Sequence, residues 1–381
     1  MGRDDDASSS YAWPDVDVRH WGAPRLPFPV TPTYRPRPDL VRLGGAAHGR
    51  IEREVLDADS DAPATLAAKL ARLRRWPQRC VALDPALAGD PGAVWARVGA
   101  AANAIVGARA VGAGADAGPG GDEPASPLER AGDEILARVA GWAFPADPKA
   151  PFSLRALRPD AIPVLDWIAS RPPAERPLHA LALALQEDLA WMEAEPGEPA
   201  RARLLHVCFP SGWDPAAKIG RDFASIHAPV ADAELLRSSA LALSRALTTQ
   251  GPFVRFVWTV APDGARSRHP ADTPAPMPVD AGGPTPSEAA TPTQGEAASP
   301  WFRCERQVSV PMPPGPLGDA AAALFLIRLH LAPLAAAAHT PERLATLRAA
   351  LDSMSPATLD YKGLAARLEA LRRWLDARAS G

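Results

Sequence analysis

The chain is poor in cysteine and carries no excess of basic charge, and each shortage excludes a class of protein. Only three of its 381 residues are cysteine, Cys80, Cys208 and Cys304. Their wide separation fits neither a disulfide framework nor a cysteine zinc site, and isolated cysteines are typical of a reducing compartment. The formal net charge of −3 argues against nucleic-acid binding, because a binder needs a basic surface to displace counterions from phosphate.

The sequence also lacks a long uninterrupted apolar segment. The most apolar stretch, residues 320–338, contains Arg328, His330 and Pro333, so we expect a strand followed by a loop or helix rather than a membrane span. The N-terminal sequence MGRDDDASSS has neither the basic nor the apolar region of a secretory signal. These features predict a soluble, cytoplasmic protein with no nucleic-acid or membrane partner.

Two low-complexity stretches interrupt the sequence, but we do not interpret them as domain boundaries. Residues 109–127 and 262–300 are rich in Pro, Gly, Ala, Ser and Thr and contain too little apolar surface to offset the entropy of ordering. The second stretch separates two strand-like runs, and a stable hairpin tolerates such an insertion because closure entropy rises only with the logarithm of loop length. We therefore predict a disordered tail over residues 1–27 and a single domain over residues 28–378.

Hydrophobic periodicity predicts the elements of an α+β fold, a small antiparallel sheet surrounded by helices. Strands are predicted at residues 204–209, 253–260, 302–310 and 323–331, and the second and third should pair as an antiparallel hairpin. In the last strand Phe325, Ile327, Leu329 and Leu331 share one face, which we expect to be core, and Leu326, Arg328 and His330 share the other. Helices are predicted at residues 64–75, 129–142, 178–194, 232–247, 341–352 and 362–378.

Residues 204–230 hold the densest set of chemically active side chains in the sequence. After the predicted strand, Asp214 followed by Pro215 fits the start of a short helix. Lys218 and Arg221 are three residues apart, so on that helix they would present two cations to one anionic group. His227 follows shortly before a proline, which favours an imidazole held on a stiff loop.

This passage resembles the family of haem-dependent oxidative N-demethylases. Three further segments are similar to that family: residues 183–192 (LALQEDLAWM), residues 302–313 (FRCERQVSVPMP) running into 324–334 (LFLIRLHLAPL), and residues 361–364 (YKGL). They occur in the family's order and cover roughly the second half of the chain, so the resemblance does not rest on one short motif. The first half is similar only loosely, at Phe28-Pro29 and Tyr34.

The resemblance implies a PAS-like sheet that carries haem b. It also implies a monooxygenase that oxidises a methyl group of a small amine, such as dimethylamine, with O2 and external reducing equivalents and releases formaldehyde. An oxygen-activating haem needs an axial ligand, cations for its propionates, an apolar pocket and a source of protons.

From the residues themselves we assign candidate roles within such a site. His227 is the candidate proximal iron ligand, and Lys218, Arg221, Arg303 and Arg306 are candidates for the propionates. If residues 302–310 form a strand, Arg303, Glu305 and Gln307 share one face, while Cys304, Arg306 and Val308 share the other. Glu305 and Gln307 are the candidate catalytic pair, since a carboxylate can pass protons or bind a cationic amine; Glu187 and Asp188 are further candidates.

Several alternatives stay open. His330 and His206 are rival iron ligands, and a thiolate ligand at Cys208 is disfavoured because burial in a strand raises the pKa of a thiol. The charged residues 303, 305 and 306 also fit a salt-bridged patch within the fold, and Glu187 and Asp188 fit a solvated helix face.

Two other functions compete with the monooxygenase. One is a haem-binding sensor or a catalytically inactive interaction module of the same fold, suggested by Ala231 where the family has a proline and by Leu329-His330 where it has a Thr-Tyr-like pair. The other is a mononuclear metal site built from His206, His227 and a carboxylate, although no close two-histidine, one-carboxylate spacing is present.

The chain contains no Gly-rich dinucleotide fingerprint and no clustered cysteines for an iron–sulfur centre. Electrons for an oxygenase must therefore come from a separate NAD(P)H-dependent reductase. We predict that the purified chain alone oxidises no NAD(P)H, as followed by absorbance. Robust NAD(P)H oxidation by the chain alone would contradict the need for a separate reductase.

Overall fold

The computed structural model describes residues 13, 18, 21–112, 126–227, 239–272, 300–312 and 320–379, with the backbone alone for residues 109–112 and 227. Within these residues the chain forms a mixed α+β fold around a seven-stranded antiparallel sheet. In spatial order the strands, numbered along the chain, are β1 (Val41–Arg42), β11 (Phe253–Ala261), β12 (Trp301–Met312), β13 (Ala321–Pro333), β9 (Asp188–Ala194), β10 (Arg201–His206) and β4 (Val81–Leu83).

Two small sheets and a set of helices surround this central sheet. One small sheet pairs β2 (Ala46–Ala47) with β3 (Arg50–Ile51), and the other contains β5 (Leu128–Ala131), β6 (Glu134–Ala137), β7 (Trp142–Pro145) and β8 (Arg155–Ala156). The helices are α1 (Ala62–Arg75), α2 (Pro85–Ala88), α3 (Pro91–Gly112), α4 (Ile162–Ala169), α5 (Arg176–Ala182), α6 (Phe223–His227), α7 (Ala240–Thr249), α8 (Leu334–Ala337), α9 (Pro341–Asp352), α10 (Pro356–Tyr361) and α11 (Leu368–Ala379). In the part of the chain described, no helix has the length and apolar character needed to cross a bilayer.

The hairpin predicted across the second low-complexity stretch is confirmed. Strands β11 and β12 pair antiparallel along their whole shared length, with Val257 opposite Glu305. Strand β13 continues the ladder on the other side of β12 and places Leu329 opposite Glu305. The predicted separation of faces in β12 therefore holds, while residues 113–125 and 273–299 of the two predicted insertions lie outside the described residues.

Three helix predictions are confirmed. Helix α9 has the predicted bounds, with Thr340 accepting the N–H of Arg343 and Pro341 at its first position. The predictions for residues 64–75 and 362–378 are confirmed as α1 and α11 with shifted ends. Of the predicted helix 232–247, residues 232–238 lie outside the described residues, and the rest falls in α7.

Two helix predictions are wrong in whole or in part. Residues 129–142 form the hairpins of β5, β6 and β7, because Gly132 adopts a φ of 60° and turns the chain where the apolar spacing suggested a helix. The predicted helix 178–194 ends at Ala182, and its second half is strand β9. The carbonyls of Ala182, Leu185 and Glu187 accept the buried Lys69 ammonium instead of continuing the helix.

The central sheet has one fully covered side, which we call the closed face. It bears the even-numbered residues of β11, β12 and β13. The buried members are Trp258, Val260 and the even-numbered residues of 302–310 and 324–330. Phe256, ahead of Trp258 in β11, and Ala332, near the end of β13, are half-buried. Helices α1, α3 and α5 cover one end of this face and α8 to α11 cover the other. Of the predicted disordered tail, Trp13, Val18 and Trp21 are buried in the same core.

Buried ion pairs hold the N-terminal segment against the closed face. Arg306 and Arg328 stand directly opposite each other on β12 and β13, an arrangement that is unfavourable for like charges without counter-charges. Glu52 pairs with Arg306 at 2.9 Å and Asp59 with Arg328 at 2.7 Å. All of these side chains are nearly inaccessible, so each guanidinium depends on its carboxylate.

Asp57 adds a third pair to this group, with its carboxylate 3.0 Å from His330. Burial alone would raise the pKa of Asp57, but the hydrogen bond and charge of His330 and the charges of Arg306 and Arg25 lower that pKa well below its usual value. Because the pKa of Asp57 is lower in the folded chain than in the unfolded chain, its carboxylate stabilises the fold at pH values above the ordinary aspartate pKa. This stabilisation is lost as the pH falls from the ordinary pKa towards the lowered one.

We predict that Asp59→Ala lowers the free energy of unfolding by about 3 kcal/mol, because it leaves the buried guanidinium of Arg328 without its carboxylate partner. The measurement is urea denaturation at neutral pH. As a control, Arg138→Ala breaks the half-exposed pair with Glu129 and should change the free energy of unfolding by less than about 1 kcal/mol. Equal effects of the two substitutions would contradict this account of the closed face.

Candidate functional site

The side of β9, β11, β12 and β13 opposite the closed face is incompletely covered, and we call it the open face. Segment 209–222 and residues 262–272 lie over one end of it, and α6 and α7 pack over the other. Between these covers the strands present half-buried residues, namely Arg255, Val257, Thr259, Gln307, Ile327 and Leu331. The surface between the covers is therefore an apolar floor with polar groups along β11 and β12.

A hydrogen-bonded cluster lies where segment 209–222 and residues 262–272 cover the open face. The Arg303 guanidinium donates to the Ser211 hydroxyl at 2.6 Å and to the carbonyls of Phe209 and Arg266, each at 2.7 Å. The Ser211 hydroxyl donates to Glu305, and the Gln307 amide donates to the other Glu305 oxygen at 2.9 Å. Both carboxylate oxygens of Glu305 are thus held in fixed directions, with the carboxylate 8% exposed.

Arg255 differs from Arg303 because its charge has no carboxylate or carbonyl partner among the described residues. Its Nε is buried without a hydrogen bond, and burial lowers the pKa of the guanidinium while the charge of Glu305 raises it. Thr259 and Ser309, on the same face, also have buried hydroxyls without a partner among those residues. Buried polar groups in this state are uncommon in proteins and indicate a missing ligand or solvent.

The edge of β11 beyond its short pairing with β1 is protected by cations. Lys362 donates to the Trp258 carbonyl at 2.7 Å and Arg367 donates to the Val260 carbonyl at 3.0 Å, which blocks further strand pairing. Burial, and then the charge of Arg255, lower the pKa of Lys362 to about 8, although Glu305 opposes this shift. The family-like segment 361–364 therefore contacts the strand that carries Arg255.

The predicted basic helix after residue 215 is absent, and its two cations do not share a face. Residues 215–220 form turns, Lys218 donates to the Ile226 carbonyl at 2.8 Å, and Arg221 is exposed. Ile226 packs against the apolar end of the open face. His227 is the last residue of α6, so its backbone lies at this end, while its side chain lies outside the described part.

Arg306 does not join the other candidate propionate ligands. It lies on the closed face, where Glu52 and backbone carbonyls take up its donors, whereas Arg303 lies on the open face. A single porphyrin cannot contact both side chains through the sheet. Of the residues predicted from the sequence, the structure therefore brings together Arg303, Glu305 and Gln307, and separates Arg306 from them.

The rival ligands and proton donors have other contacts. His330 pairs with Asp57 on the closed face, and His206 is fully buried against His179. Glu187 is buried rather than solvated and accepts the N–H of Asp57. Among the described residues, no group of three or more His, Cys, Asp or Glu side chains could hold a metal ion.

Cys208 is a buried thiol whose pKa is raised well above its ordinary value, chiefly by burial. This environment disfavours the thiolate, as the sequence analysis expected. Asp188 is also buried, and burial raises its pKa; its carboxylate accepts the N–H of Phe209 at 2.8 Å. Asp188 and Arg303 therefore contact the backbone of the same residue, Phe209.

Sequence reasoning missed Arg255 and Ser211. Arg255 lies inside the predicted strand 253–260, and the alternation of that strand could have placed it on the same side as Glu305 once the hairpin register was known. The sequence analysis assigned no role to Ser211. Its role depends on the approach of segment 209–222 to β12, which no local pattern indicates.

Comparison with known proteins identifies one family. The family model of haem-dependent oxidative N-demethylase, alpha subunit-like proteins matches residues 161–371, more than half of the chain. The matched region includes all the strands that bear the open face, and it confirms the resemblance found in the sequence. A search of curated proteins found no match.

We predict that Arg255→Met leaves the ligand-free chain as stable as before or stabilises it by about 1 kcal/mol, because it removes a poorly compensated buried charge. Arg303→Met should lower the free energy of unfolding by about 3 kcal/mol, because it leaves the Ser211 hydroxyl and the carbonyls of Phe209 and Arg266 without their donor and removes the cation beside Glu305. Urea denaturation measures both, and a loss of stability in Arg255→Met equal to that in Arg303→Met would contradict the assignment of Arg255 as unpartnered.

Proposed function

Because the chain belongs to the family of haem-dependent oxidative N-demethylase, alpha subunit-like proteins, we propose that it is the haem-binding subunit of a monooxygenase. Its substrate is a small alkylamine, from which it removes a methyl group with O2 and external electrons, and formaldehyde is released. The proposal includes haem b as the cofactor and a PAS-like sheet as its carrier. All three cysteines are free and buried, which fits a cytoplasmic location.

The observation that carries this proposal is the unpartnered cation on the open face. A haem presents a flat apolar ring and two carboxylates, so it needs an apolar floor with a cation at its margin. Val257, Ile327 and Leu331 supply the half-buried apolar floor. Arg255 supplies a guanidinium that forms no ion pair with a carboxylate among the described residues and whose Nε has no hydrogen-bond partner there, and a propionate is the partner that its geometry and charge suit best.

The remaining ligand assignments follow from position. We propose His227 as the iron ligand because α6 ends there, directly after Ile226 packs on the open face. Lys218, which donates to the Ile226 carbonyl, fixes the end of α6 and positions His227, while the exposed Arg221 is free to approach a propionate. Arg303 supports the site through Ser211 and Glu305, and we leave Arg306 outside it.

Bound haem would supply the activation of O2, and the chain's own residues would place the amine and the protons. Glu305 accepts from Ser211 and Gln307, so its carboxylate is oriented and available to bind a cationic amine at the floor of the open face. Gln307 fixes the second carboxylate oxygen. Together Glu305 and Gln307 hold the methyl group of the bound amine in one direction, which is the main requirement for selective oxidation.

The electron source is a partner protein. The alpha subunit-like family implies a multi-component oxygenase, and we propose that an NAD(P)H-dependent reductase delivers electrons to this chain. The second candidate function is a haem-binding sensor or an inactive module of the same fold. It is favoured by the burial of His330 in an ion pair where the family has a different residue.

The proposal is tested by titrating the purified chain with hemin and recording the Soret band. We expect one hemin to bind per chain, with loss of the native iron spectrum in His227→Ala and weaker binding, by about tenfold, in Arg255→Met, since one charged hydrogen bond is lost. The control His339→Ala changes an exposed histidine and should bind hemin like the wild type.

Activity then separates the two candidate functions. The hemin-loaded chain with a chemical reductant should release formaldehyde from dimethylamine in the presence of O2. Haem binding without amine-dependent formaldehyde would establish the sensor or inactive module. A chain that stays colourless with hemin would refute both.

A further inference from the structure

Lys362 is held between two aromatic rings beside strand β11, and none of the roles in the proposed function uses it. Its ammonium donates to the Trp258 carbonyl at 2.7 Å. The same nitrogen lies 4.7 Å from the centre of the Tyr34 ring and 5.4 Å from that of the Trp258 ring. These two rings meet edge to face, with centroids 6.1 Å apart. The nitrogen is therefore positioned over the face of the Tyr34 ring, in the geometry of a cation–π contact.

This amine carries a proton less firmly than an ordinary lysine. Its hydrogen bond goes to a backbone carbonyl, and it forms no ion pair with a carboxylate in the described part of the chain. Burial lowers the pKa of Lys362 to about 8, with an opposing effect of Glu305 and a further lowering by Arg255. At pH 7 it is therefore neutral about a hundred times more often than an ordinary lysine. A neutral amine is a nucleophile that adds to carbonyl compounds.

The other lysines lack this arrangement. The chain has only four, at positions 69, 149, 218 and 362. Lys69 is fully buried and donates to three carbonyls, and Lys218 donates to a carbonyl beside α6. Lys149 is exposed. Within the described ranges, Lys362 is the lysine that contacts a tyrosine ring.

A small molecule can approach both members of the contact. The side chains of Tyr34 and Lys362 are half-buried, so part of each contacts solvent. The charges of Arg255 and Glu305 act on Lys362, and both of these residues belong to the proposed site. A product formed at that site is therefore released close to this lysine.

We propose that Lys362 is a modification site for small aldehydes, at which formaldehyde joins its side-chain nitrogen to the ring of Tyr34 through one methylene group. The inference rests on the proposed function, because that function supplies formaldehyde as its product. It assigns Lys362 and Tyr34 a reaction with the product; neither of them takes part in the oxidation of the amine.

The reaction balances without an oxidant or a reductant. The Lys362 nitrogen adds to the carbonyl carbon of formaldehyde, and the carbonyl oxygen takes up a proton as the nitrogen loses one. That oxygen accepts a second proton from solvent and leaves as water, which gives an iminium ion. A ring carbon beside the Tyr34 hydroxyl then bonds to the iminium carbon, and the ring returns its displaced proton to solvent. One N–H, one ring C–H and one formaldehyde thus become a methylene bridge and one water.

The position of the ring favours the last of these bonds. Electrophiles attack a phenol from the face of the ring, and the Lys362 nitrogen lies over that face of Tyr34. The flexible four-carbon stem of lysine permits the closer approach that a single methylene group requires. Burial raises the pKa of Tyr34 to about 12, so its electron-rich ring reacts as the neutral phenol. Holding the two groups in contact replaces a slow encounter between separate molecules.

The first test adds formaldehyde to the purified full-length chain without haem, so it does not depend on turnover. After proteolytic digestion, mass spectrometry should find the peptides that contain Tyr34 and Lys362 joined, with the added mass of one carbon atom. We expect this bridge at formaldehyde concentrations about tenfold lower than those that modify the exposed Lys149. Equal sensitivity of Lys362 and Lys149, or a bridge to Tyr361 in place of Tyr34, would overturn the proposal.

Two substitutions separate the bridge from general modification. Lys362→Arg keeps a cation at this position but lacks the primary amine, and Tyr34→Phe keeps the ring but lacks the hydroxyl that activates it. We expect loss of the bridge in both, with modification of Lys149 unchanged. The matched control Lys149→Arg removes another lysine and should form the bridge like the wild type. A carbon-bridged product at the same level in Tyr34→Phe would contradict the assignment of the ring.

The second test identifies the source of the carbon. The hemin-loaded chain is supplied with ¹³C-labelled dimethylamine, O2 and a chemical reductant, and the bridging carbon should carry the label. Release of labelled formaldehyde without a labelled bridge would overturn the capture of product by Lys362. A bridge formed from added formaldehyde, with no formaldehyde released from the amine, would overturn the proposed function alone.

Discussion

The ion pairs between the N-terminal acids and the arginines of the central sheet determine which face of the sheet is available for a ligand. Glu52 and Asp59 bring carboxylates to Arg306 and Arg328, and with them a whole segment of chain that covers the closed face. A buried guanidinium without such a partner is strongly unfavourable. The charges of the closed face are paired internally. Among the described arginines of β11 to β13, the one without an ion pair is Arg255, whose Nε is buried without a hydrogen bond, and it lies on the opposite side.

The proposed function rests on that asymmetry. One side of the sheet is a completed core, and the other presents apolar side chains, an oriented carboxylate and an unpartnered guanidinium. A flat dianionic cofactor of mixed polarity suits such a surface, and a cationic amine suits Glu305 beside it.

Much of the fold could be predicted from the sequence, because strands β11 to β13 alternate regularly and α9 carries its own cap. The hairpin across the low-complexity stretch followed from the weak dependence of closure entropy on loop length. Strand β9 could not be recognised, since its residues are buried on both sides and fit a helix equally well. The hairpins around Gly132 were hidden by helix-like apolar spacing.

The site was predictable only in part. The shared face of Arg303, Glu305 and Gln307 needed nothing beyond strand periodicity. Which face would be core was misjudged: the polar face with Arg328 is buried and the apolar face with Ile327 is half-open, because carboxylates more than 250 positions away reach the arginines. The most direct test is the crystal structure of the hemin-loaded chain. The account predicts the porphyrin against Val257, Ile327 and Leu331 with a propionate on Arg255; a porphyrin bound anywhere else would contradict it.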